Sequence, residues 1–508
     1  MPLTPRSAPG RTSRRARALR TAALVAASAG LIAAAVPAPE PLGIGDPLFP
    51  TLGNPGYDVL AYDIALTYRG DNSEPLDAVT RIDARAVTRL ERVNLDFAQG
   101  TVREVRVNGA PAEYTPAGED LVVRPARPVE AGEPLRITVS HTSDPSGSPA
   151  TGGWVRTADG LAMANQADAA HRVFPCNDHP ADKAYFTFRI SAPKELTAVA
   201  NGRRVARATA GTRSTWLYRT GRPMATELAQ VSIGRSAVVT RTGPHGLPLR
   251  DVVPQADREV LEPWLRKTPG QLEWLEDKVG RYPFETYGLL VADADTGFEL
   301  ETQTLSLFER SLFTNTAYPE WYVDSVMVHE LAHQWFGNSV TPRTWSDLWL
   351  NEGHATWYEA RYAEEATKGT EEAERRTLER RMRAAYTASD GWRAAGGPPA
   401  APKPPAPGQK ISLFRPVVYD GSALILYALR QEIGTAAFER LERLWVERHA
   451  HSTAGTADFV RLASEVAGRD LSTFLHGWLH DAKTPPMPGH ADWRSTTPAK
   501  PAQRGAKR

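Results

Sequence analysis

HELAHQW at 329–335 and NEGHATW at 351–357 decide how the second half of this chain folds. In a helix, residues four apart stand nearly above one another. The first stretch therefore brings His329 and His333 to one point on a helix face. Glu330 sits one residue round from His329, on the solvent side of that point. Glu352, nineteen residues after His333, adds a carboxylate from the second stretch. Two histidines and a carboxylate form the donor set of a catalytic zinc site whose fourth position is open to water. Glu330 is placed as a base that takes a proton from that water without binding the ion. HELAH alone fits a solvent-facing helix with incidental histidines; adding Glu352 turns the reading to one zinc ion per chain. Asp347 is a candidate to orient a ligand histidine from behind. His354 faces away from the metal by periodicity and reads as packing or pocket wall.

Working outward, WYVDSVMVHELAHQWFG is expected to be a helix capped at Asp324 or Ser325. A second helix should run from Leu350 and a third over 371–386. GGPPAAPKPPAPG (396–408) is a proline-rich loop. Helical periodicity resumes at 422–433, 435–449, 457–468 and 471–479. Upstream the period is two. YDVLAYDIALTY, LRITVSHTS and YFTFRISAP alternate apolar and polar residues between turn signals such as NGAP. The fold class is therefore multidomain: an antiparallel β-domain over 57–240, then an α+β domain over 241–484. Residues 39–56 read as an extended lead-in and 485–508 as a disordered tail.

A chain of 508 residues exceeds one ordinary core, which agrees with that division. Residues 1–38 carry six arginines and no acid, and TAALVAASAGLIAAAVPA (21–38) follows the basic region. This reads as a signal peptide, with a secreted or extracytoplasmic product. An uncleaved anchor is the alternative, but the apolar run is short and alanine-rich. No stable membrane association is expected after cleavage. Removing the segment takes the formal net charge from +1 to about −5, with no basic stripe left behind, so nucleic acid is excluded as a partner. Self-association is left open. Cys176 is the single cysteine, so stability has to come from core packing and not from disulfides.

HELAHQWFGNSV and WSDLWLNEGHATWYE, with RVFPCNDHPADKAYFTFRI (172–190), GRYPFETYGLL (280–290) and VVYDGSALILYALRQEIG (417–434), closely resemble the aminopeptidase N family of gluzincin (M1-type) zinc metallopeptidases. The resemblance covers roughly 57–483. It implies a saddle-like β-domain on a thermolysin-like catalytic domain. It also implies a short, two-domain member without the C-terminal helical domain that most members add. It assigns Glu301, in GFELET (297–302), to binding the substrate's free α-amino group, with Leu300 beside it. Tyr419 is assigned to the oxyanion of the tetrahedral intermediate. Ala164 and Gln166 stand where the family has a glutamine and an acid lining the amine pocket, so amine recognition leans on Glu301. Glu299 is expected on the face opposite the pocket.

The implied activity is that of a zinc aminopeptidase, with peptides as substrates. Two alternatives share the metal motif. A thermolysin-like endopeptidase would not need Glu301. A lipid epoxide hydrolase on the same fold would need a long apolar channel.

Overall fold

The computed structural model describes residues 42–147, 151–294, 296–406 and 409–496. The proposed signal peptide lies outside the described residues, as does 497–508.

Alternation builds the first half as expected. Tyr57–Thr67 and Leu76–Ala86 pair antiparallel at the centre of an eight-stranded sheet. Leu76–Ala86 pairs onward with Pro134–Ser143, and Tyr57–Thr67 pairs in parallel with Tyr185–Pro193. In Leu76–Ala86 every second residue is buried, so one face packs on the core and the other meets water. A four-stranded sheet and a three-stranded sheet complete this half.

The second half is organised on the sheet Ser236–Thr242, Pro248–Pro254, Leu289–Ala292 and Ser306–Glu309. The boundary expected at 240/241 thus falls inside its first strand. Two antiparallel neighbours give way to parallel pairing between Pro248–Pro254, Leu289–Ala292 and Ser306–Glu309. Both faces of these strands are covered, as parallel sheets require. Leu289, Val291 and Phe308 face the helices, whereas Leu290, Ala292 and Leu307 join the core of the β-half.

The segment 42–56 is not a simple extended lead-in. Leu48, Phe49 and Leu52 are buried against Trp345, Leu348, Val417 and Val418. Asp46 accepts from the Trp345 backbone N–H at 2.8 Å and holds His179 at 3.1 Å, so this strap ties the two halves together. Nor does order stop at 484. Met487 and Trp493 are buried, and Trp493 stacks on Tyr427 with ring centroids 5.8 Å apart. Two apolar anchors outweigh the polar composition that marked this stretch as disordered. Helix Leu378–Gly396 begins later than the sequence pattern indicated, capped by Thr377, whose hydroxyl accepts from the Arg380 N–H.

The segment RVFPCNDHPADK is fixed by a buried ion pair. His171 Nδ1 lies 2.6 Å from Asp178, and the Thr226 hydroxyl donates to the other Asp178 oxygen at 2.6 Å. Burial opposes the charge on His171, but the bond to Asp178 overcomes it and lifts its pKa to about 9; the same pairing lowers that of Asp178. His171 therefore contributes stability that is full below its ordinary 6.5 and lost as pH rises through about 9. Asp178→Asn removes the nearer carboxylate of the buried His171 and leaves Glu119, 3.8 Å from its Nε2. It should cost about 3–5 kcal/mol near neutral pH and flatten the alkaline decline, as read from urea midpoints between pH 6 and 10. A variant with the wild-type pH profile would refute the pairing.

Candidate metal centre

Helix Glu320–Ala332 carries His329 and Glu330, and His333 is its C-terminal cap. The helix starts at Pro319-Glu320, a turn before the expected cap at Asp324 or Ser325. Asp324 is instead paired with Lys267 at 2.8 Å. Trp335 anchors the far end, its indole N–H donating to the carbonyls of Gly280 and Arg281. Helix Trp349–Ala366 crosses alongside and presents Glu352.

The three donor atoms converge. His329 Nε2 and His333 Nε2 are 3.2 Å apart, and Glu352 Oε2 lies 3.3 and 3.4 Å from them. Tetrahedral ligands at zinc's bond lengths of about 2.0–2.1 Å stand about 3.3–3.4 Å from one another. His329 Nδ1 faces Glu359 Oε2 at 3.1 Å, and His333 Nδ1 faces the Phe336 carbonyl at 3.1 Å. Each Nδ1 therefore carries the proton, and both Nε2 lone pairs aim at the same point as the Glu352 oxygen. Three electron-rich atoms in that arrangement repel unless a cation sits among them. The triad fits one zinc ion, and it is the one such cluster among the described residues.

Asp347 does not orient a ligand histidine. It accepts from the Thr344 hydroxyl and from Thr456 N–H and hydroxyl, joining the turn before the second site helix to helix Thr456–Ala467. Glu359 takes the role expected of Asp347. Seven residues beyond Glu352 on the same helix, it returns to the same face two turns on. Its other oxygen accepts from Arg381 at 2.8 Å, and Arg381 also donates to Asp420 at 2.8 Å. Against burial, Arg381 and His329 hold Glu359 down to about 2. Glu359→Gln should weaken zinc affinity about 10–100-fold, measured by chelator competition; unchanged affinity would remove Glu359 from the metal's support.

Asp420 opens helix Asp420–Ile433, which places Tyr419 at its N-terminal edge. Gly353, beside Glu352, lets this helix come close: a Cβ there would meet the Ser422 Cβ at 2.8 Å. The Tyr419 ring centroid lies 6.0 Å from that of His329. Glu330 is buried, and its Oε2 has no hydrogen-bond partner.

Glu301 arrives from the sheet side. Its carboxylate accepts from Gln166 Nε2 at 2.6 Å, so the β-half contributes to the site. Its backbone carbonyl is pinned by Gln334 Nε2 at 3.0 Å and Asn338 Nδ2 at 2.6 Å. Gln334 follows His333 directly, so the metal motif also fixes the neighbouring strand segment. Burial raises the Glu301 carboxyl above its ordinary range, while His333 pulls it down. Leu300 does not line the site. Its backbone pairs with Leu307, and its side chain is buried in the core shared with the β-half, as expected for neighbours that alternate along a segment. The same alternation corrects Glu299. Two residues from Glu301, it opens on the cavity that His329, Glu330 and Tyr419 also line. His354 is packing, stacked on Phe336 with centroids 4.3 Å apart.

Two family models match the chain in order: the Peptidase M1 N-terminal domain over 161–228 and the Peptidase family M1 domain over 265–478. Glutamyl aminopeptidase of Sus scrofa is 26% identical over 76% of this chain and 44% of its own length. Aminopeptidase M1-A of Oryza sativa subsp. japonica is 27% identical over 61% of the chain and 35% of its own length. The chain thus spans less than half the length of these curated relatives. Crystal structures match more completely. The M1 zinc metallopeptidase of Deinococcus radiodurans, in a mutant form bound to Tyr-Ser-Ala substrate, superposes with a TM-score of 0.74 at 27% identity. That match covers 88% of this chain and 99% of the other. A two-domain M1 zinc metallopeptidase mutant bound to L-arginine gives the same figures. A β-rich domain followed by an α+β domain with this metal motif is a two-domain, thermolysin-like M1 fold, and the chain belongs to the M1 family of zinc metallopeptidases.

Proposed function

We propose that the chain is a zinc aminopeptidase of the aminopeptidase N type, hydrolysing the N-terminal peptide bond of peptides with a free α-amine. The observation that carries this reading is the buried Glu301 carboxylate, fixed beside the triad by Gln166 and by a pinned backbone. A buried carboxylate beside the triad is matched by an ammonium through charge-assisted bonds. Gln166 spends its N–H on Glu301, so its amide oxygen remains to accept a second ammonium proton. A peptide anchored there presents its first carbonyl to the triad and no later one.

Bound zinc supplies a Lewis acid that polarises this carbonyl and acidifies the attacking water. Glu330 receives the water proton on its unpartnered Oε2 and returns it to the leaving amine. The Tyr419 phenol donates to the oxygen that gains charge. Glu359 and Arg381 hold the histidine ring in register. The relative bound to Tyr-Ser-Ala supports a short peptide as substrate. The basic and apolar N-terminal sequence supports export, with the product acting outside the cytoplasm. No helix among the described residues is long and apolar enough to cross a membrane.

The test is a rate comparison on free and N-acetylated peptides of one sequence, with and without a zinc chelator. Cleavage at the first bond of the free peptide alone, abolished by the chelator, is expected. Equal cleavage of the acetylated peptide would make the protein an endopeptidase.

A further inference from the structure

Glu299 and Glu301 lie two residues apart on one extended segment, yet they meet different surroundings. Glu301 is tied to Gln166. Glu299 opens on a cavity of 420 Å³ whose wall includes His329, Glu330 and Tyr419 but neither Gln166 nor Glu301. This volume lies within the range of small-ligand pockets. If the α-amine sits at Glu301 and the first carbonyl at the triad, the chain beyond the cut runs antiparallel to this segment, past Glu299. The cavity is where the next side chain goes.

Its chemistry is one-sided. Phe298, Tyr322 and Val326 give an apolar and aromatic wall, and Glu299 and Glu309 add carboxylates; no lysine or arginine is among the described residues lining it. Glu359 also borders the cavity, but His329 and Arg381 occupy its oxygens. Glu299 Oε2 accepts from the Glu309 N–H at 2.6 Å, and Glu309 Oε1 accepts from the Thr296 N–H at 3.0 Å. Backbone bonds thus hold both carboxylates in place, and among the described residues no hydrogen bond occupies the second oxygen of either.

We propose that this cavity receives the side chain of the residue following the scissile bond and selects lysine or arginine there. The proposal rests on the aminopeptidase reading above. The aliphatic stem of such a residue covers the apolar wall, and its cationic head reaches the two carboxylates. Burial lifts the Glu299 carboxyl to about 8, and an incoming cation favours its ionised form. A glutamate side chain meets the Glu309 carboxylate, finds no cation among the described lining residues and is rejected.

The experiment uses the zinc-loaded full chain and Ala-Xaa-Gly peptides with Xaa as Lys, Arg, Met, Gln or Glu. The expected kcat/KM for Lys and Arg is at least tenfold above Met and Gln, and about a hundredfold above Glu. Cleavage of all five without that ranking overturns the pocket assignment and leaves the aminopeptidase reading standing. Cleavage of none overturns both. Glu309→Lys, checked for full zinc content, is expected to reverse the order, with Glu above Lys by about tenfold; an unchanged order in that variant overturns the assignment.

Discussion

Glu330→Gln is expected to lower kcat by about 10²–10⁴-fold while the protein still binds one zinc ion. Gln has the same shape, and Glu330 is not a corner of the donor triangle formed by His329, His333 and Glu352. The metal point is therefore undisturbed. What disappears is the acceptor for the proton: the Glu330 Oε2 that has no protein partner becomes an amide group that cannot take one up. No neighbour stands in for it. Glu352 belongs to the triad, Glu359 is committed to His329 and Arg381, and Glu301 is bonded to Gln166. Zinc content by metal analysis and single-turnover rates would separate the two effects. A variant with full zinc and a rate within tenfold of wild type would remove Glu330 from proton transfer.

The metal point was legible in the sequence because helix geometry maps spacing directly onto space. Four residues bring His329 over His333, and local periodicity alone fixes that. The switch from sheet to helix was legible for the same reason, since a period of two and a period of 3.6 are both local signals. Glu359 carries an equally local signal, seven residues after Glu352, whereas Asp347, nearer in sequence to the triad, is bound to Thr456. Gln166 and Glu301, 135 residues apart, have no local signal at all, and only the family resemblance joined them. The face of Glu299 is a local matter too, for residues two apart on an extended segment share a side. Order at 485–496 could not be read from composition, because Met487 and Trp493 gain their burial from the distant helices Leu378–Gly396 and Asp420–Ile433.

Glu301→Gln is expected to lower kcat/KM on free-amine peptides by about 30- to 3,000-fold, the equivalent of losing one partner of a buried, hydrogen-bonded charge pair at about 2–5 kcal/mol. The loss should not extend to N-acetylated peptides, which have no ammonium to lose. The ratio between free and blocked substrates, large in the wild type, should collapse toward one. That ratio distinguishes an amine anchor from a residue that merely supports the fold, because damage to the triad or to the strand would depress both substrates together. The backbone argues for a clean result. The Glu301 carbonyl stays pinned by Gln334 and Asn338, whatever the side chain carries. Gln at 301 can still bond to Gln166 by an amide pair, so no buried group is left without a partner. An undiminished preference for free amines in this variant would move the anchor elsewhere. The buried Glu227, whose carboxyl feels the charge of Glu301, would then be the next residue to replace.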